Sequence, residues 1–393
     1  MSLPATAPSS RGGPDPLSLP PLALYVHLPW CVRKCPYCDF NSYEVRGALP
    51  DLDYVEAVLR DLRSEAPLGQ GRQLGSIFIG GGTPSLFSPQ AIDRLLSGLR
   101  ARLPLDQDIE ITLEANPGTV ELERFKGFRD AGVNRLSIGI QSFEPEKLQA
   151  LGRIHGREEA LRAADFARAA GFDNFNLDLM FGLPQQTVEQ ALSDMRTAIG
   201  FQPTHLSAYQ LTIEPNTLFH VHPPALPDDD STWEMQSRLQ AELAAAGYRQ
   251  YEISAYAKPG YECRHNLNYW KFGDYLGIGA GAHAKITGAG SIMRLWKVKQ
   301  PNDYLRAAGT AAGIGGEDRL SHEHIVTEFM MNALRITAGI PSRLFAERTG
   351  LPFSVVARPL EQAERRGLIT WDTQFLRPTE TGFRYLNNLL ELF

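Results

Sequence analysis

Short runs of β-branched, aromatic and other apolar residues alternate with longer amphipathic segments between Leu22 and Ile213. The short runs predict strands, and the longer segments, several of which open with acidic residues or proline, predict helices. Regular alternation of the two is typical of parallel βα units. Six strands are predicted, over residues 22–28, 76–80, 108–114, 135–141, 174–180 and 205–212, with helices over 53–66, 89–103, 121–132, 157–171 and 187–201.

Polar residues collect at the carboxyl ends of the predicted strands. A cysteine-rich loop follows the first strand, 80-GGGTPS-85 follows the second, and Glu114, Gln141 and Asp178 lie at or near the ends of the next three. Six units are too few for a closed eight-stranded barrel, so the pattern leaves a partial barrel or a doubly wound sheet open. In both architectures ligands bind at the carboxyl ends of the strands, so we expect one site at this rim.

The regular alternation stops near residue 225. Residues 226–315 form a predicted connecting region, in which 250–284 is rich in aromatic residues and glycine and has no helical period. Residues 316–393 predict three helices, a short hairpin and a last helix, the order of a small α+β winged-helix-like module. The Pro-rich residues 1–20 are interpreted as a disordered tail, and 21–225 as the strand-helix domain.

Composition and charge narrow the range of partners. Apolar residues make up 43% and charged residues 21% of the 393 residues, which is ordinary for a globular protein. The formal net charge is -6, so no nucleic-acid partner is expected. No apolar run reaches the roughly 18 residues of a membrane span, and the first 20 residues lack the pattern of a signal peptide. These features favour a cytoplasmic protein.

Three of the four cysteines, Cys31, Cys35 and Cys38, lie within eight residues in the spacing C-x3-C-x2-C. In a reducing compartment clustered cysteines are more often metal ligands or redox groups than disulfides. A zinc site normally has a fourth ligand, for which His27 is a candidate. A 4Fe-4S cluster held by three thiolates keeps one iron open, as a catalytic metal site keeps a position for substrate. We favour the cluster, with zinc as the alternative.

The cysteine motif, with Tyr37 just before its last cysteine, resembles that of the radical S-adenosylmethionine (SAM) superfamily. The segments 25-YVHLPWC-31, 139-GIQSF-143, 151-LGRIH-155 and 176-NLDLMFGLP-184 resemble its coproporphyrinogen III oxidase-like branch. The resemblance extends over residues 22–393 and implies an α/β fold, a partial (β/α)6 TIM-type barrel with the C-terminal module. It also implies a 4Fe-4S cluster on the three loop cysteines, with SAM on the open iron.

The same resemblance implies a set of SAM contacts along successive strands. Asp178 is suited to the ribose hydroxyls, Arg153 to the SAM carboxylate, and the glycine-rich segment offers backbone amides. The implied contacts are Tyr25, Tyr37, Gly81, Gly82, Thr83, Glu114, Gln141, Arg153 and Asp178. The resemblance assigns no catalytic residue.

Two members of the branch differ at the end of the cysteine loop. The oxygen-independent coproporphyrinogen III oxidases carry a further cysteine where this chain has Phe40, and they have a longer N-terminal segment. The HemW-type haem chaperones lack both features and carry a motif that matches 265-HNLNYW-270. The chain resembles the chaperones, which implies haem as ligand. The alternative function is the oxidase reaction, radical decarboxylation to protoporphyrinogen IX.

The haem ligand implied by this resemblance is His265, with Cys263 as a rival thiolate. From spacing alone, each could equally be a packed core residue. Acceptor haemoproteins, such as respiratory-chain subunits at a membrane, are the implied partners, with peripheral association at that membrane. Whether SAM is cleaved, and whether the chain is a monomer or a homodimer, stays open at this point.

Overall fold

A computed structural model describes residues 19–119, 121–288 and 290–393. Most of the predicted N-terminal tail, residues 1–18, lies outside the described residues. The strands, in chain order, are β1 (Leu22–Leu28), β2 (Trp30–Cys31), β3 (Tyr43–Glu44), β4 (Leu74–Gly81), β5 (Leu105–Ala115), β6 (Arg135–Gln141), β7 (Phe175–Phe181), β8 (His205–Gln210), β9 (Arg249–Gln250), β10 (Ala255–Ala257), β11 (Asp274–Ile278), β12 (His283–Gly288), β13 (Ser291–Lys297), β14 (Ile314–Arg319), β15 (Ile340–Pro341), β16 (Ile369–Trp371) and β17 (Phe375–Pro378).

The helices begin where the sequence provides caps or proline. Ser88 accepts a hydrogen bond from the amide of Ala91, and Thr187 forms a capping box with Gln190. The helices are α1 (Asp51–Glu65), α2 (Pro89–Arg100), α3 (Leu122–Ala131), α4 (Pro145–Ala150), α5 (Arg157–Ala169), α6 (Val188–Gly200), α7 (Leu218–Val221), α8 (Asp229–Ala245), α9 (Arg264–Trp270), α10 (Pro301–Ala307), α11 (His322–Ala333), α12 (Arg343–Thr349), α13 (Ala357–Arg365), α14 (Glu380–Arg384) and α15 (Leu386–Leu390). In the described part of the chain, none of them has the length and hydrophobicity of a membrane span.

The six predicted strands are β1, β4, β5, β6, β7 and β8, which lie side by side in this order and pair in parallel. This confirms the partial TIM-type barrel. Along β1 the residues alternate between the two faces, as in any strand. Leu24 and Val26 pack into the main core with the surrounding helices, whereas Tyr25 and His27 are hydrogen-bonded to each other on the inner face.

The sheet extends beyond the predicted strands at both edges. Strand β11 pairs in parallel with β1, and β12, β13 and β14 continue the sheet in antiparallel order. Strands β10 and β9 continue it antiparallel to β8 at the other edge. The segment predicted as a connecting region, residues 226–315, therefore supplies strands of the main sheet.

Helix α9 contains the whole HNLNYW motif and lies against β1 and β4. No secondary structure could be predicted there because seven residues make only two turns, which is too short for a helical period to be recognised. The helix is at the amino-terminal half of these strands, where His265 contacts Ser76. It closes the barrel at the end opposite the cysteine loop.

A buried ion-pair cluster joins the added strands to the first barrel helix. The Lys297 ammonium group on β13 donates to Asp61 at 2.7 Å and to Glu65 at 2.5 Å, and Tyr304 donates to Asp61 at 2.7 Å. The Lys297 side chain has no solvent exposure. Strand β13 is therefore an integral part of the barrel.

The C-terminal module has its own hydrophobic core, which includes Phe329, Phe345 and Leu360. Helices α11, α12 and α13 pack there with a three-stranded sheet in the order β15-β17-β16. As predicted, three helices precede a hairpin. Strand β15, between α11 and α12, was not predicted, and two short helices, α14 and α15, follow the hairpin where one was predicted. Phe272 and Ile292 of the preceding segment join this core, so the module is packed against the main sheet.

Candidate functional site

A cavity of 390 Å³ lies at the carboxyl ends of the barrel strands, as the strand-end rule predicts. We call it the cluster cavity. It brings together residues from the cysteine loop and from β4, β5, β6 and β7. Two of these residues, Cys31 and Asp178, are 147 positions apart in the sequence. The predicted residues that line it are Cys31, Cys35, Tyr37, Cys38, Gly81, Gly82, Thr83, Glu114, Gln141, Arg153 and Asp178.

The cysteine loop is held by backbone hydrogen bonds at both ends. The amide of Val45 donates to the Cys31 carbonyl at 2.9 Å, and the amide of Cys38 donates to the Cys35 carbonyl at 3.1 Å.

Burial raises the pKa of the Cys31 and Cys38 thiols, so in the absence of a metal both stay protonated near pH 7. Coordination to a metal deprotonates such thiols outright.

The three loop cysteines line one cavity, which is compatible with a shared cluster. Among the described residues, no group of three or more His, Cys, Asp or Glu side chains is placed to hold one metal ion. The three thiolates of a cubane each bind a different iron and need not converge on one point. His27, the candidate fourth ligand for zinc, instead accepts or donates hydrogen bonds at both ring nitrogens, with Tyr25 Oη at 3.0 Å and the Asn41 carbonyl at 2.8 Å.

The glycine segment lets β4 pass close to the cysteine loop. Gly81 has a φ of +125°, and a Cβ at Gly82 would lie 2.6 Å from the Trp30 carbonyl oxygen. The predicted amide donors already have acceptors within the protein: Gly81 donates to Glu114, Gly82 to the Leu28 carbonyl and Thr83 to the Trp30 carbonyl. The segment thus supplies close approach and shape to the cavity, while its amides fix the loop.

Two carboxyl groups face the cluster cavity. Burial, then the charge of Asp178, raises the pKa of Glu114 to about 8, although its Oε2 accepts a hydrogen bond from Gly81. Burial also raises the pKa of Asp178, whose oxygens accept hydrogen bonds from Asn176 at 2.7 Å and Ser137 at 3.1 Å. The negative charge of Asp178 thus disfavours ionisation of Glu114. A bound cation would relieve this repulsion, and SAM carries a positive sulfonium and an amino group.

Arg153 supplies the positive charge at the other side of the cavity. Its guanidinium donates to the Gly139 carbonyl at 2.5 Å and to Asn116 at 3.1 Å, and it lies 3.8 Å from Cys35 Sγ. Its Nε is buried and has no hydrogen-bond partner among the described residues. A buried donor without an acceptor is costly, so this group is suited to an anionic ligand atom such as the SAM carboxylate.

Several cavity residues were not predicted from the sequence. Asn116 holds Arg153, and Tyr209 donates to Gln141 Oε1 at 2.6 Å. Gln141 itself has a φ of +70°, a strained conformation for a residue other than glycine. Tyr209 lies within the sixth predicted strand, near its end, so the strand-end rule could have identified it.

A second cavity, of 510 Å³, adjoins the first and shares Phe40, Gly81 and Glu114 with it. We call it the aromatic cavity. Tyr25, implied above as a SAM contact, lines this second cavity and is not among the residues that line the first. The rest of its lining includes Tyr269, Tyr275, His283 and Lys299.

The predicted haem ligands are buried away from both cavities. His265 is 1% exposed, and its ring nitrogens contact Ser76 Oγ at 3.1 Å and Tyr269 Oη at 3.2 Å. Burial, then the charge of Arg135, lowers the pKa of His265 to about 3. Cys263 is also 1% exposed, and burial raises the pKa of its thiol to about 12. Tyr269 is the member of the HNLNYW motif that reaches the aromatic cavity.

Three thiols beyond the first strand of a parallel barrel, with a charged cavity at the strand ends, are features of the radical SAM class. The sequence model of the Radical SAM superfamily matches residues 25–198, and that of the HemN C-terminal domain matches residues 320–385. Membership of this superfamily implies a 4Fe-4S cluster and SAM.

Full-length relatives define the family more closely. The chain is 53% identical to the "Heme chaperone HemW" of Escherichia coli (strain K12), over 96% of this chain and 99% of the relative. It is 50% identical to the protein of the same name from Haemophilus influenzae (strain ATCC 51907 / DSM 11121 / KW20 / Rd), over 95% and 98%. The chain therefore belongs to the HemW family.

A solved structure supports the fold. The coproporphyrinogen III oxidase (HemN) from Escherichia coli, a radical SAM enzyme, superposes with a TM-score of 0.80, covering 95% of this chain and 90% of that chain. The sequence identity is 23%, so this similarity establishes the shared architecture of barrel and C-terminal domain and nothing about the reaction.

Proposed function

We propose that the chain is a haem chaperone, which holds a SAM-liganded 4Fe-4S cluster on Cys31, Cys35 and Cys38, binds haem and delivers it to acceptor haemoproteins. The observation that carries the proposal is the pair of adjoining cavities. One is lined by three thiols and by charged groups suited to SAM, and the other is lined by aromatic rings. The names of the full-length relatives support the same function.

The cavity residues have distinct roles in this proposal. The three loop thiolates would hold the cluster, Arg153 would bind the SAM carboxylate, and Glu114 and Asp178 would balance its positive charge and hold its ribose. A reduced 4Fe-4S cluster held there would supply one-electron chemistry at the SAM sulfonium. The protein positions both groups and excludes bulk water.

Phe40 favours the chaperone over the oxidase. It occupies the position at which the oxidases carry a further cysteine, and its ring is 63% exposed between the two cavities. A phenyl ring cannot ligate iron, but it offers apolar surface to a porphyrin. The oxidase reaction is the second candidate, and the shared fold is its support.

The acceptors proposed here are haemoproteins of a respiratory chain at a membrane, with the chaperone binding there peripherally. This part of the proposal rests on the family resemblance. It predicts that the protein cosediments with membranes that contain an acceptor, and that it does not cosediment with vesicles of the same lipids alone.

The test is anaerobic reconstitution with iron and sulfide, followed by titration with SAM and with haem. We expect four irons per chain, a SAM-dependent change of the electron paramagnetic resonance signal of the dithionite-reduced cluster, binding of haem, and no conversion of coproporphyrinogen III. The Cys31→Ala, Cys35→Ala, Cys38→Ala triple variant should lose the iron. Cys263→Ala, which removes the cysteine outside the loop, should keep it. Formation of protoporphyrinogen IX by the wild type would overturn the chaperone proposal.

A further inference from the structure

We propose that haem binds in the aromatic cavity, with His283 as an axial ligand to the iron. The inference rests on the proposed haem-chaperone function and assigns a site to it. His283 is the first residue of β12 and lines both the aromatic cavity and a third cavity of 610 Å³, which we call the outer cavity. His283 therefore lies between the aromatic cavity and the outer cavity.

The hydrogen bonds of the histidines single out His283. In His27, His155, His205 and His265, both ring nitrogens have hydrogen-bond partners. The ring of His283 is exposed, and no hydrogen-bond partner to it is present in the described ranges. Binding of iron by His265 would break the contacts of its ring nitrogens with Ser76 and Tyr269, whereas the ring nitrogens of His283 have no such contact to lose in the described ranges.

The remaining exposed histidines are less suitable. His220 and His222 lie at helix α7, and His322 is at the start of α11; none of the three lines the aromatic cavity. His324 lines the outer cavity, but Glu317, Asp318 and Glu328 line that cavity too and would repel the propionates of haem. The lining of the aromatic cavity contains one carboxyl group, Glu114, and the exposed ammonium group of Lys299, so the charges favour this cavity over the outer one.

Aromatic rings surround the proposed site. Tyr269 and Tyr275 contact each other with ring centroids 4.4 Å apart, and the His283 ring is stacked on Trp296 at 6.1 Å. Phe40 and Tyr25 complete the apolar lining. Flat apolar surfaces of this kind suit a porphyrin plane, and 510 Å³ is within the ~300–1,000 Å³ typical of small-molecule sites.

A cationic side chain is present for the propionates. Lys299 lines the aromatic cavity, is exposed, and has no carboxylate within ion-pair distance in the described part of the chain. Arg294, the nearby cation of the outer cavity, is already paired with Glu328. Burial, then the charges of Arg294 and Lys299, lowers the pKa of His283. Its imidazole is therefore neutral near pH 7, the form that ligates iron.

The site also explains the position of the HNLNYW motif. His265 contacts the Tyr269 hydroxyl at 3.2 Å, and its ring stacks on Phe78 with centroids 5.1 Å apart. His265 thus fixes Tyr269, which forms part of the cavity lining. In this account His265 is a positioning residue, and its loss would distort the haem site without removing an iron ligand.

The experiment is titration of the reconstituted protein with ferric haem, followed by the Soret band. His283→Ala should weaken binding by on the order of tenfold or more and shift the band, and added imidazole should restore the wild-type spectrum. His322→Ala, the matched exposed histidine, should bind as wild type. Lys299→Glu should weaken binding without shifting the band, and Lys126→Glu, a surface control, should have no effect.

The outcomes separate this inference from the proposed function. If the wild type binds no haem, the haem-chaperone function itself is wrong. If His283→Ala keeps the wild-type affinity and spectrum, or if imidazole restores the spectrum of His265→Ala and not that of His283→Ala, the function survives and the assignment of His283 is overturned.

Discussion

Binding of SAM should release a proton from Glu114. Burial, then the charge of Asp178, raises the pKa of this carboxyl group to about 8, so at pH 7 it is mostly protonated. A positively charged ligand stabilises the carboxylate and lowers this pKa. We therefore expect wild-type protein to release most of one additional proton per SAM bound at pH 7 compared with Glu114→Gln, and this difference to shrink as the pH rises above the pKa of Glu114.

The assay is isothermal titration calorimetry in buffers of different ionisation enthalpy, with the cluster reconstituted in both proteins. Any proton released by the amino group of SAM itself is common to both and cancels in the difference. Glu123→Gln, which removes an exposed glutamate on α3, is the matched control and should release as many protons as wild type. Equal proton release from wild type and Glu114→Gln at pH 7 would refute the reasoning.

Two further predictions concern the fold and the shape of the site. Lys297→Met should destabilise the protein by about 3–5 kcal/mol in urea unfolding, because it leaves Asp61 and Glu65 buried without a cation, and unchanged stability would contradict this. The loss should grow as the pH rises, because burial raises the pKa of Glu65 and protonation of this carboxyl group at lower pH relieves the unpaired charge. Gly82→Ala should lower the iron content of the reconstituted protein, because the added Cβ would lie 2.6 Å from the Trp30 carbonyl oxygen. Gly200→Ala should keep the wild-type iron content, because no atom lies within 4 Å of the Cβ added there. Equal iron content in the two glycine variants would contradict the role given to Gly82.

The barrel was predictable because its strands carry local signals. Residues 22–28 and 135–141 were predicted with the bounds that β1 and β6 have in the structure. Each apolar strand and each amphipathic helix can be recognised from a few neighbouring residues, and capping residues and glycines mark where the helices begin and end. The location of the polar site residues followed from the same pattern, because the carboxyl ends of parallel strands lie at one rim of the barrel.

The additional strands were not predictable in the same way. Strand β11 is five residues long and entirely buried, and it pairs with β1, some 250 positions away. A short buried run lacks the alternation that identifies a strand, and a pairing so distant in sequence leaves no local signal. Residues 250–284 therefore showed no periodic pattern in the sequence, although they include strands of the barrel sheet.

The aromatic cavity was missed for the same reason. It is assembled from Tyr25, Phe40, Tyr269, His283 and Lys299, which belong to separate elements. The motif HNLNYW directed attention to its histidine, whereas the structure places Tyr269 at the cavity and His265 behind it. Sequence spacing identified the segment but not the orientation of its side chains.

The central claim is that this chain delivers haem, and transfer to an acceptor tests it most directly. Haem-loaded, reconstituted protein is mixed with a haem-depleted respiratory cytochrome, and the absorption spectrum of the acceptor is followed in time. Handover through a complex predicts a transfer rate that rises with acceptor concentration. A rate that does not depend on acceptor concentration would mean that haem simply dissociates, and that result, or no transfer at all, would contradict the account.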